Sequence, residues 1–129
     1  MIETYPHIAA RMTSLPVRPL GGIALAAPLT SAAVIGEIDA GRPVIAGISP
    51  SGMLYPPQIA EHVALIIGYS GGADRLTLVV NDPFPFREVG ARDPYNRAGG
   101  ERLERGRYRI GYDAFVQRLQ WNNTIRKIE

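Results

Sequence analysis

Glu61-His62-Val63-Ala64-Leu65-Ile66-Ile67-Gly68-Tyr69 and Leu76-Thr77-Leu78-Val79-Val80-Asn81-Asp82-Pro83 decide the fold. Each run is rich in β-branched and aliphatic residues. Between them, Ser70-Gly71-Gly72-Ala73-Asp74 has turn chemistry. The two runs predict an antiparallel hairpin. Val63, Leu65 and Ile67 alternate with Ala64 and Ile66, and Leu76, Leu78 and Val80 alternate with Val79, so both faces of the hairpin are apolar. Strands of that kind are covered on two sides, as in a barrel or a sheet flanked by helices.

The hairpin also brings chemistry together. With Tyr69 and Leu76 as its inner ends, simple antiparallel pairing sets His62 opposite Pro83. A register one residue tighter sets it opposite Asp82. Facing side chains on neighbouring strands lie roughly 5 Å apart, so Asn81 or Asp82 comes within reach of the His62 ring in either register. A carboxylate or amide bonded to one ring nitrogen fixes the tautomer, and the other nitrogen can take a proton from a nucleophile. The same residues also suit a plain structural role, since Asn-Asp-Pro is a common way to end a strand.

Outward from the hairpin, Thr30 or Ser31 caps a helix from Ala32 to Ala40 whose apolar stripe is Val34, Ile35 and Ile38. Gly41 stands where a left-handed C-terminal cap belongs, and Pro43 follows the stop. Val44 to Ile48 reads as a strand. Ser49 to Gln58 holds three prolines and a glycine and reads as a loop. Arg107 to Tyr112 alternates as a strand, and Asp113 can cap a short helix carrying Phe115, Val116 and Leu119. Trp121 and Thr124-Ile125 suggest a last strand. Nearer the start, Ile8 to Leu15 has helical spacing, and the small residues up to Pro28 fit no element. Pro83 to Arg107 reads as a long insertion without regular structure, rich in proline, glycine and arginine.

The 129 residues suffice for one domain, expected over 1–129, and are too few for two ordinary ones. The chain could equally be a piece of a larger protein. A formal net charge of +2 is too small to argue for nucleic-acid binding, and no nucleic-acid partner is expected. The arginines at 87, 92, 97, 102, 105, 107 and 109 are interleaved with Glu88, Asp93, Glu101 and Glu104, which reads as a solvated loop. No apolar run approaches the roughly 18 residues of a membrane span, and no membrane partner is expected. Leu20 to Pro28 has the look of a signal-peptide core but is short and split by glycine. The chain reads as soluble, with its compartment open. No cofactor motif occurs. His7 is isolated, and two histidines with scattered acids make no metal-ligand spacing. With no cysteine, disulfides and thiolate metal sites are excluded.

Four blocks carry a resemblance. They are Glu37-Ile38-Asp39-Ala40-Gly41-Arg42-Pro43-Val44-Ile45, His62 to Tyr69, Val79-Val80-Asn81-Asp82-Pro83, and Tyr108-Arg109-Ile110-Gly111-Tyr112-Asp113-Ala114-Phe115. In this order, over roughly residues 31 to 125, the chain resembles the second half of bacterial papain-like cysteine peptidases, in particular the group related to bacteriocin-leader-processing peptidases. The resemblance implies an α+β fold, the papain-like barrel lobe, built as an antiparallel sheet with flanking helices. It implies His62 as general base and Asp82 as the orienting residue, with Asn81 as the alternative. That family's nucleophilic cysteine, and the glutamine a few residues before it, have no counterpart here. Gln58 lies in the wrong half, and Ser14, Ser31, Ser49 and Ser51 are not in the cysteine's context.

Three readings follow. The chain is the His/Asp half of a peptidase, inactive alone, with its cysteine on another segment. Or it is a cysteine-free pseudoenzyme that binds peptides or partners. Or the likeness is architectural only. The expected partners are a peptide or protein substrate, and either a cysteine-bearing N-terminal segment or a second copy of the chain. Tyr55, Pro56 and Pro57 are candidates for a substrate groove.

Overall fold

The computed structural model describes residues 22–49, 62–84 and 93–127. Seven strands form a single antiparallel sheet: β1 (Ile23–Leu25), β2 (Val44–Ile48), β3 (His62–Ser70), β4 (Thr77–Asn81), β5 (Glu101–Glu104), β6 (Arg107–Gly111) and β7 (Trp121–Arg126). Their spatial order is β1-β7-β2-β3-β4-β6-β5. Among the described residues three helices accompany them: α1 (Ser31–Asp39), α2 (Pro94–Arg97) and α3 (Tyr112–Arg118). The architecture is α+β, as expected.

α1 starts where its capping chemistry says it should. Thr30 is the N-cap, and its hydroxyl accepts from Ala33 N at 3.2 Å. At the other end Gly41 adopts φ 77°, and its N–H donates to Ile38 O at 2.9 Å. A residue with a Cβ resists that left-handed conformation. Val34 and Ile38 are fully buried, and so is Glu37 between them. The Glu37 carboxylate takes both Arg42 Nε and Nη2 at 3.1 Å, Arg126 Nη2 at 3.1 Å and the Lys127 backbone N–H at 2.8 Å. A buried charge survives only when so paired, and this one ties α1 to the end of β7.

On β2, β3, β4 and β6 one face is continuous. Val44 pairs Ile66, Ala46 pairs Ala64, Ile48 pairs His62, Val80 pairs both Ile66 and Tyr108, and Leu78 pairs Ile110. Apart from His62 these side chains are buried. Tyr95, Phe115 and Trp121 complete the core there: the Tyr95 ring stacks on Tyr108, and Phe115 meets Trp121 edge to face at 5.5 Å. Ile67 and Val79 are wholly buried as well, so the hairpin is covered on both faces towards its turn; at its far end Val63 is 56% exposed.

Several expectations change. The β3–β4 ladder runs Tyr69↔Leu78 and Leu65↔Asn81 with a bulge between Ile66 and Gly68, so neither simple register holds. The pair next to the turn is Ser70↔Thr77 rather than Tyr69 with Leu76, because the 3-10 turn at Ala73–Arg75 places the closing pair one residue further along in both strands. The stretch from Pro83 to Arg107 is not structureless, because it contains α2 and β5. Asp113 does not cap α3. Gly111 holds that position without a side-chain bond, and Asp113 lies in the first turn, where its charge favours the helix N-terminus. The small-residue stretch before Pro28 supplies β1, paired to β7 from Ile23↔Arg126 to Leu25↔Thr124. The expected helix from Ile8 to Leu15 and most of the loop from Ser49 to Gln58 lie outside the described residues.

Candidate functional site

His62 opens β3 on the core face, beside Ile48 of β2. Its side chain keeps 15% of its surface exposed, and its ring meets Phe84 edge to face at 5.8 Å. Asp82 follows the last residue of β4. Its N–H donates to Gly106 O at 2.8 Å, in the β5–β6 turn where Gly106 takes φ 76°. Asp82 is wholly buried.

The Asp82 carboxylate is held on both oxygens. His62 Nε2 lies 2.7 Å from Oδ1. The Phe84 backbone N–H also donates to Oδ1, at 3.2 Å. That bond closes an Asx turn through Pro83. The Tyr95 hydroxyl donates to Oδ2 at 2.7 Å. An ionised carboxylate can only accept, so Nε2 is assigned the proton. Nδ1 is then the ring atom able to take one from a nucleophile. Asn81 stands one residue earlier, half-buried and paired in the ladder with Leu65 and Arg107. The carboxylate that reaches Nε2 belongs to Asp82.

Tyr95 comes from the stretch where no element was expected. α2 begins there with Asp93 as N-cap and Pro94 at the first helical position, both favoured at a helix start. Asp93 Oδ1 accepts from Tyr95 N at 2.9 Å and from Asn96 N at 3.4 Å. Asp93-Pro94 is a readable helix-start signal and could have exposed this element. Parallel stacking, with ring centroids 4.2 Å apart and planes within 8°, holds the fully buried Tyr95 ring against Tyr108. Such stacking stabilises the pair beyond what the buried ring area contributes. Burial, reinforced by the Asp93 and Asp82 carboxylates, raises the Tyr108 phenol above its ordinary range and keeps it neutral.

A hollow of about 330 Å³ opens beside His62, lined by Gly47, Ile48, Ser49, Val63, Asn122 and Asn123. On its wall Asn123 Nδ2 donates to Asn122 Oδ1 at 2.7 Å, and Asn122 Nδ2 donates to Ser49 Oγ at 3.0 Å. Ser49 thus lines the same hollow as His62, whereas Ser31 donates to Ala73 O on another part of the molecule. His7, Ser14, Ser51, Tyr55, Pro56, Pro57 and Gln58 lie outside the described residues. So do Arg87 and Arg92, while Arg107 pairs with Glu104 and Arg109 with Glu101. Among the described residues no three His, Asp or Glu side chains converge as a metal ion would require.

The arrangement is a histidine whose ring is oriented by a buried acid, next to an open hollow. Such a histidine can accept a proton from a nucleophile delivered to Nδ1. Comparison with curated proteins and with solved structures found no significant match. The model of the Peptidase_C39 like family matches residues 20–118. That match takes in β1 to α3 with both His62 and Asp82, and it spans well over half of the 129 residues, so the chain belongs to the Peptidase_C39 like family.

Proposed function

We propose that this chain is the base-bearing half of a papain-like cysteine peptidase, with His62 as general base and Asp82 as its orienting residue. The observation that carries the reading is the 2.7 Å contact of His62 Nε2 with a carboxylate buried and held on both oxygens, in a family whose name is that of a peptidase. The sequence has no cysteine, so thiol chemistry requires a nucleophile from another segment. With one supplied, Nδ1 would take the thiol proton, the thiolate would attack the peptide carbonyl, and the imidazolium would return the proton to the leaving amine. By itself the chain turns over no peptide.

The test is a fusion. The cysteine-bearing half of another protein of this family, joined before residue 20, should produce hydrolysis of a peptide ester that is lost on His62→Ala. The unfused chain should show none. A folded fusion indifferent to His62→Ala would refute the assignment of the base, and thiol-independent hydrolysis by the unfused chain would refute its inactivity.

A second reading, peptide binding without cleavage, is favoured by the amide and hydroxyl wall of Ser49, Asn122 and Asn123 beside the exposed Val63. Such groups can pair with the main chain of an extended peptide. Saturable binding of peptides by the unfused chain, combined with an inactive fusion, would select it.

A further inference from the structure

We infer that Tyr95 is a positioning residue for the His62–Asp82 pair: its hydroxyl fixes the rotation of the Asp82 carboxylate, and so fixes the His62 ring that this carboxylate holds. The inference deepens the reading of His62 as a base and rests on it for its functional meaning.

The geometry requires a second restraint on Asp82. A carboxylate bonded through one oxygen can still turn about its terminal torsion, which is broad and two-fold. Oδ1 carries both His62 Nε2 and the Phe84 N–H. Oδ2 carries Tyr95, at the same 2.7 Å separation as the histidine contact. With both oxygens engaged the carboxylate plane is set, and so is the direction in which the His62 Nε2–H must point. The oxygen that Tyr95 serves is sealed from water, since Asp82 and Tyr95 are both wholly buried. No solvent molecule can replace the hydroxyl without an opening of the fold.

Tyr95 is itself pinned at three places. Its ring stacks on Tyr108. Its N–H is held by the Asp93 carboxylate. Its carbonyl accepts from Gly100 N at 2.8 Å and Ala98 N at 3.2 Å. Gly100 adjoins β5 at the outer edge of the sheet, so the stretch from Asp93 to Gly100 has a definite task. It threads a short capped helix back against the core and presents one phenol to the orienting acid.

The test reads the histidine ring directly and needs no turnover. Ring nitrogen and proton resonances of His62 are followed by NMR in the full chain, with His62→Gln separating them from those of His7. In the wild type the Nε2–H should exchange slowly with water, with the neutral ring in the Nε2–H tautomer. Tyr95→Phe keeps the stacking and removes the hydroxyl. It should speed Nε2–H exchange by about 3- to 10-fold and average the ring nitrogen shifts towards a tautomer mixture. Reincorporating a hydroxyl as 3-fluorotyrosine at position 95 should restore the wild-type exchange. A Phe variant that is less stable but has an unchanged His62 ring signature would overturn the inference, since Tyr95 would then be packing alone. If the Phe variant fails to fold, the fluorine resonance of the 3-fluorotyrosine protein should move on His62→Gln, and an unmoved resonance would be the negative result. An inactive fusion combined with a responsive ring would count against the peptidase reading and leave this coupling standing.

Discussion

His62 and Asp82 meet across a ladder that does not pair them. The β3–β4 pairing ends at Leu65↔Asn81, and continuing it would set His62 across from Phe84. The chain turns at Asp82 instead. Its backbone bonds to Gly106, its side chain takes up the Phe84 N–H, and Oδ1 is delivered diagonally to His62 Nε2. The contact therefore depends on the turn after β4 as much as on the sheet.

Asp82→Asn should show that dependence. The carboxylate accepts from Phe84, from Tyr95 and from His62. An amide has one accepting oxygen and one donating nitrogen, so at least one buried donor is left unmatched. The cost should be about 1–3 kcal/mol. It is measured as a lower urea midpoint with an unchanged slope, because the exposed surface on unfolding stays the same.

Gly100→Ala should act on the same site from outside it. A Cβ there would lie 2.8 Å from Arg109 O, 3.0 Å from Tyr95 O and 3.2 Å from Ile110 Cβ. Two of these are backbone atoms and cannot swing aside. The expected loss is about 1–3 kcal/mol of stability, with α2 displaced and Nε2–H exchange at His62 faster. An alanine variant with wild-type stability would show that α2 shifts freely.

Glu37 should give the fold an acid-sensitive joint. Burial pushes its carboxyl up, but the hydrogen bonds from Arg42, Lys127 N–H and Arg126 outweigh that and bring it from 4.5 down to about 2. A carboxyl lowered in the folded state contributes stability above its unfolded value, and that stability is lost as pH falls from about 4.5 through about 2. Glu37→Gln should destabilise at neutral pH by about 3 kcal/mol. The gap to the wild type should close on acidification through that window, as thermal midpoints across a pH series would record.

Gly47→Ala tests the hollow. The added methyl would meet Asn123 Oδ1, with Cγ and Nδ2 at 2.7 Å. Asn123 is an exposed side chain, so it can rotate away at a cost of about 1 kcal/mol. Rotation breaks its bond to Asn122 Oδ1, whereas Asn122 Nδ2 keeps its bonds to Ser49 Oγ and Gln120 O. Side-chain amide exchange at Asn123 should rise while the His62 ring signature stays as it was.

Much of this molecule was legible locally. Thr30 as a possible cap, Gly41 as the left-handed stop, Val44 to Ile48 as a strand and the two runs of the hairpin all announce themselves within a few residues. Capping, turn chemistry and two-residue alternation act over that range. The candidate pair was legible for the same reason, since two strands joined by a short turn bring His62 and the Asn81-Asp82 step to the same end whatever the register. Tyr95 was hidden because nothing near it in sequence marks a phenol for a carboxylate thirteen residues earlier. Glu37 was hidden because its partners Arg126 and Lys127 are about ninety residues away.

The sequence by itself determined the antiparallel hairpin, the α1-β2 unit, the family and the absence of a thiol. These follow from local backbone preferences, from ordered blocks and from composition. Only the tertiary structure decided that β7 inserts between β1 and β2, that β5 extends the far edge, that the register slips at Ile67, and that both oxygens of Asp82 are occupied. Those are outcomes of packing between distant segments. Burying Tyr95 on Tyr108, and pairing both oxygens of the buried Asp82 carboxylate, selects one arrangement from several that the local signals allow equally.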